Sequence, residues 1–137
     1  MKILFLIIVG LSILQADFIK VGDTVKENIS KLQWQDDGAN SIESWITAIE
    51  YCENLSLENY TDWRLPNINE LKSISDKSKT DVAVVSGFTN ILSYNYWSST
   101  TYQNLKDHAY CVNFENASTY HFSKAEYHYV RCVRDGD

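Results

Sequence analysis

Two short segments restrict the fold of this chain more than anything else in it. The first runs Tyr60-Thr61-Asp62-Trp63-Arg64-Leu65-Pro66-Asn67-Ile68-Asn69-Glu70-Leu71. Pro66, the single proline, pushes Leu65 out of the helical region. Asn67, followed three residues later by Glu70, is a capping box, so a helix starts there with Ile68, Leu71 and Ile74 on its inner face. The second segment, Tyr129-Val130-Arg131-Cys132-Val133-Arg134, reads as a closing strand that carries a cysteine. Together they imply a fold in which the end of the chain returns to its beginning. There are no repeats, low-complexity tracts or linkers, so one compact unit is expected.

Residues 1–16 read as a secretory leader. Lys2 is the positive end, Ile3 to Leu14 is apolar apart from Gly10 and Ser12, and Leu14-Gln15-Ala16 offers a small residue at the cleavage point. The apolar run falls short of the roughly 20 residues a spanning helix needs. No cysteine follows it to carry a lipid; an uncleaved anchor is the alternative. The expected organisation is thus a leader over 1–16 and a single domain over 17–137, exported to the periplasm, cell surface or medium, with no membrane span after cleavage. A domain of this length can bury a real core. With 12 basic and 18 acidic residues the chain carries a net charge of −6 and has no basic stripe. That sets aside nucleic acid and anionic membrane surfaces as partners. An oxidising compartment would let Cys52, Cys111 and Cys132 form one disulfide and leave one thiol, and the residues by themselves leave three pairings open.

Periodicity divides the chain into a helical first half and a β-rich second half, an α+β arrangement. Residues 18–35 predict short strands with a turn, and Asp36-Asp37-Gly38 a further turn. Asn40 with Glu43 suggests the cap of a first helix, whose inner stripe would be Ile42, Trp45, Ile46, Ile49, Cys52 and Leu55. Residues 76–92 predict an irregular surface loop with an apolar island at Val82 to Val85. Tyr96 to Ser99 predicts a strand, and Tyr110 to Phe114 with Thr119 to Phe122 a hairpin turning at Glu115 to Ser118. Seven of the nine tyrosines lie from Tyr94 onward.

Six phrases fall in an order that resembles the C-terminal domain family of Legionella collagen-like proteins. They are Leu32-Gln33-Trp34-Gln35-Asp36; Trp45 with Ala48, Tyr51 and Cys52; Thr61 to Asn67 with Glu70-Leu71; Tyr96 to Thr100; Val112-Asn113-Phe114; and Val130 to Arg134. The match spans about residues 30–135. The resemblance implies a variant of the C-type-lectin-like fold, shared with formylglycine-generating enzymes: two helices on short, twisted, mainly antiparallel sheets, with long loops. It also implies a Cys52–Cys132 bridge between the first helix and the last strand. In this reading Trp34, Trp45, Asp62, Trp63, Arg64, Pro66, Glu70, Trp97 and Arg131 are structural.

Candidate chemistry is sparse. Glu70 as a base with Arg64 as an anion clamp is one catalytic reading; the competing one makes Glu70 a helix cap and Arg64 its partner, because a buried arginine needs such partners. A lectin-type calcium site needs six to eight clustered oxygens, and the segments that supply them in C-type lectins are missing. Cys111 with His108, His121 or His128 lacks the paired spacing of a zinc site. A hairpin register could also set Cys111 and His121 on different faces. No metal or other cofactor is expected, and no enzyme. The alternative is an oxidase-like activity of the formylglycine-generating type at Cys111, or a structural subunit dimerising through that thiol. The late tyrosines Tyr94, Tyr102, Tyr120 and Tyr127 are the candidate contacts to an unidentified glycan or protein ligand, since exposed aromatics with Asn and Ser neighbours make adaptable binding surfaces.

Overall fold

The computed structural model describes residues 15–137 together with Ile7 and Gly10, so the expected leader lies almost wholly outside the described residues. The domain is mixed α+β, with two helices and two sheets. The first sheet has the order β1 (Phe18–Val21), β2 (Thr24–Glu27), β3 (Gln33–Gln35) and β9 (Val133–Arg134), all antiparallel. The second has the order β4 (Ile42–Glu43), β8 (His128–Tyr129), β5 (Asn95–Thr101), β6 (His108–Asn113) and β7 (Ser118–Ser123). Only the β5–β8 contact there is parallel. A two-residue turn joins β1 to β2; Gly22 takes φ +57, and a Cβ there would lie 2.5 Å from the Glu58 carboxylate.

Strand alternation divides the core. On β5 and β6, Tyr96 and Val112 are cross-strand partners, and so are Trp97 and Cys111. Successive residues point to opposite faces, so the two pairs belong to separate clusters. Tyr96 and Val112 join Val25, Trp34, Leu71, Ile74, Phe114 and Val133 between the first sheet and α2 (Ile68–Ser73). Trp97 and Cys111 join Ala48, Cys52, Trp63, Leu65, Val130 and Cys132 beneath α1 (Trp45–Glu53). Both faces of the second sheet therefore carry core along β5 and the adjoining part of β6, and Trp34, Trp63, Trp97 and Pro66 are buried as the sequence suggested. Trp45 is half-buried against the α1 cluster; its indole Nε1 donates to the Ser98 carbonyl, and the Lys124 ammonium sits 3.9 Å from its ring centroid.

The α2 start forms as expected. Asn67 accepts from the Glu70 amide, and Glu70 accepts from the Asn67 amide. The α1 start does not. Its N-cap is Ser44, without a side-chain cap bond, and residues 42–43 are the strand β4. Asn40 is drawn elsewhere: its Oδ1 accepts from Arg131 Nη2 at 3.2 Å. The helix therefore starts later than expected. Cys52 is buried, with Trp45, Ile49 and Leu55 packed around its cluster as expected; Ala48 joins the inner face, while Ile42, in β4, and Ile46 are exposed.

Residues 76–92 carry no helix or strand, but they are not simply a surface loop. Ala83 and Val84 are buried, and the Ala83 amide donates to the Phe114 carbonyl at 2.6 Å. The fully buried Asp36 carboxylate anchors the far end: it accepts from the Thr89 and Asn90 amides at 2.9 and 3.0 Å and from Lys20 Nζ at 2.6 Å. The expected last strand is also divided. Tyr129 belongs to β8 in one sheet and Val133 to β9 in the other, with Val130 to Cys132 crossing between them. Arg131 lies in the break. Its side chain is fully buried, and its guanidinium donates to the Gln35 and Asn90 carbonyls and to Asn40 at 2.8–3.2 Å, bonds that hold the crossing segment against three other parts of the chain.

Cys52 and Cys132 form a disulfide with Cα atoms 5.5 Å apart, tying α1 to this crossing segment. Its two ends are 80 residues apart in sequence, and in the chain-entropy account closing such a loop contributes roughly 4 to 5 kcal/mol. Cys52→Ala/Cys132→Ala is expected to cost about 3 kcal/mol or more in urea unfolding, and Cys111→Ala clearly less. Equal losses would show that the bridge is not the stronger restraint.

Candidate functional site

The residues weighed for chemistry are occupied with one another. Arg64 donates through both terminal nitrogens to the two Glu70 oxygens at 2.7 and 2.8 Å, and Nη2 also donates to Asp135 at 2.8 Å. Partial burial pushes the Glu70 carboxyl up, but Arg64 and the Asn67 amide outweigh it and hold the group below its usual range. Glu70 thus spends its lone pairs on a cap and an ion pair, an arrangement that supplies structure to the α2 start. Asp62 is paired with Arg134 Nε at 2.7 Å, and that hydrogen bond depresses its carboxyl. Arg134, itself buried, also lies 3.6 Å from the Tyr60 ring centroid.

Cys111 is fully buried, and burial pushes its thiol well above the ordinary range. A thiolate is the nucleophile and the metal ligand, so this site disfavours both. Pairing with a second copy would require β6 to open. The hairpin register sets Cys111 against Tyr120 and Tyr110 against His121, which places Cys111 and His121 on opposite faces. His128 lies under the same cluster, edge-on to Trp97 at 4.9 Å and 4.4 Å from the Phe122 ring centroid, and its Nε2 has no partner. No group of three or more His, Cys, Asp or Glu side chains converges as a metal site among the described residues.

The four candidate tyrosines do not converge. Tyr94 is 56% exposed and stacks on Tyr129 at 5.2 Å. Tyr127, 68% exposed, projects from the β7–β8 connection. Tyr120 stands within β7 rather than in a turn, on the Cys111 side, and is 43% exposed. Tyr102 is different, because it is the centre of a cluster. It lies parallel to the His121 ring with centroids 3.8 Å apart, and perpendicular to Tyr110 at 5.3 Å. His108 Nδ1 and His121 Nδ1 are 3.0 Å apart. Tyr110 and His121 are direct cross-strand partners, and His108 precedes Tyr110 by two on the same face. This is the face that Tyr96 and Val112 share further along, where α2 and the segment 76–92 cover it. At the Tyr110 end the cover stops, and four rings stand half-buried or exposed on β6, β7 and the residue after β5.

Tyr110, His108 and His121 were missed as partners of Tyr102 by reasoning from sequence. Part of the signal was present: His108 and Tyr110 alternate on a strand, and a hairpin turning at Glu115 to Ser118 sets residue 121 against residue 112, on that same face. The turn lies one residue earlier, at 114–117, and this shift pairs His121 with Tyr110. A family model described as Lcl C-terminal domain matches residues 23–134. No curated protein matches the chain.

Burial without an acceptor lowers the pKa of His128, with Glu126 opposing weakly. The unfolded imidazole then binds a proton near pH 6.5 while the folded one does not. Stability should be full above that value and fall as pH drops through the window below it. Urea unfolding between pH 7.5 and 5 is expected to show this loss, and His128→Phe to flatten it. An unchanged slope in that variant would remove His128 as the cause.

Proposed function

The chain belongs to the Lcl C-terminal domain family, and from that premise we propose that it is an exported, non-enzymatic binding module of C-type-lectin-like architecture. The ligand surface would be the Tyr102–Tyr110–His121 platform on the uncovered end of the second sheet. The observation that carries this reading is the parallel stack of Tyr102 on His121 at 3.8 Å, held at an open surface. Aromatic bodies with polar tips suit sugar rings and protein surfaces alike. A platform fixed by stacking and a cross-strand register also loses little freedom on binding.

Three features support the rest of the reading. A disulfide fits an oxidising compartment, and no helix among the described residues is long and apolar enough to cross a membrane. The pinning of α1 to the terminal segment, with two helices on short sheets, supports the lectin-like comparison. Mutual neutralisation of Arg64 and Glu70 and burial of Cys111 support a role without catalysis. Fold alone does not name a ligand, so the ligand is sought as a glycan or an exposed protein surface.

The test is an array of glycans and extracellular proteins probed with the domain. Tyr102→Ala is expected to weaken binding about tenfold, which is about 1.4 kcal/mol. Tyr94→Ala and Tyr120→Ala should change it by less than about twofold. Binding that survives Tyr102→Ala but is lost with Tyr94 or Tyr120 would move the site. Turnover of a substrate without binding would overturn the reading.

A further inference from the structure

His108 and His121 come from different strands, yet their Nδ1 atoms face each other at 3.0 Å on the surface. We propose that this cross-strand pair is a two-imidazole site for a late divalent transition metal, Cu2+ or Ni2+ in class. The separation decides the geometry. An ion about 2.0–2.1 Å from each nitrogen spans a 3.0 Å pair at an angle close to 90°, the cis angle of square-planar or octahedral coordination. A tetrahedral ion would want the nitrogens further apart. Imidazole suits Cu2+, Ni2+ and Zn2+, and the cis angle selects the first two.

Binding requires a tautomer change in one ring and a tilt of both. Without metal, one Nδ1–H donates to the other Nδ1. On binding, the donor ring moves that proton to its Nε2, and both Nδ1 lone pairs turn to the ion. Between two neutral imidazoles this is a tautomer change alone, with no proton released. Tyr102 lies parallel on His121 and holds its ring, as an outer-shell group holds a ligand. The β6–β7 register, paired continuously from His108–Ser123 to Asn113–Ser118, fixes the two backbones. The net charge of −6 adds a general attraction for cations. Among the described residues two protein ligands converge here, so water fills the remaining positions and moderate affinity is expected. This site stands on the histidine geometry and does not depend on the platform binding a glycan or protein.

The experiment is titration of the folded domain with NiCl2 and CuCl2, read by calorimetry and by the unfolding temperature. One equivalent of either ion should bind, and both should raise the unfolding temperature, because a chelate across two strands exists only in the native state. His108→Ala and His121→Ala should each weaken binding at least tenfold. Circular dichroism of the metal-free variants checks that they fold, and His128→Phe should bind as the parent does. Loss of the two side chains without loss of affinity would overturn the site, as would absence of binding to the parent at millimolar metal. Tighter binding of Zn2+ than of Ni2+ would overturn the cis geometry.

Discussion

The crossing of the chain at Val130 to Arg134 is the constraint on which the rest of the structure depends. Five residues connect both sheets, both core clusters and the first helix. Val130 donates its amide to the Ser41 carbonyl, and Cys132 carries the bridge to α1. Val133 pairs with Trp34 on one side and with Arg64 on the other. Arg131, buried and unable to lose its charge, is stabilised only because three acceptors from three separate segments converge on it. A guanidinium deprived of them in that position would be strongly destabilising. The segment therefore sets where residues 35, 40 and 90 must lie, and with them the irregular stretch that covers half of the second sheet.

That half-cover explains why a surface exists at all. The β5–β6–β7 sheet packs on α1 and its cluster on one face, and is covered on the other only as far as Val112. Where α2 and residues 76–92 end, the alternation of β6 continues outward, and Tyr110 and His108 occupy positions that would be core if the cover were longer. Their rings pack on Tyr102 and His121 instead of on a helix. A partly buried aromatic patch is the natural outcome of a sheet longer than its lid.

The parts legible in the sequence were those fixed by local chemistry. The Asn67–Glu70 box and the extended run into Pro66 are short-range devices and stand where they were expected; the hairpin turn also forms, one residue earlier than expected, at 114–117. Non-local demands overrode the rest. Asn40 looked like a cap and became an acceptor for Arg131, 91 residues away. Asp36 looked like a turn residue and became the buried anchor of Thr89 and Asn90. The terminal strand looked continuous, but it is divided between the sheets, with a buried arginine in the break. The tyrosines were chosen by number and exposure, whereas the platform is chosen by cross-strand register, which single residues do not display.

Native-state hydrogen exchange of the oxidised domain tests the central role of the crossing segment most directly. The amides of Cys132 and Val133, which donate to Gln35 Oε1 and the Arg64 carbonyl, should exchange only through global opening, with the protection of the β5–β6 core. If these amides exchange like a fraying terminus while β5 and β6 stay protected, the segment is an ornament on the fold and the account fails.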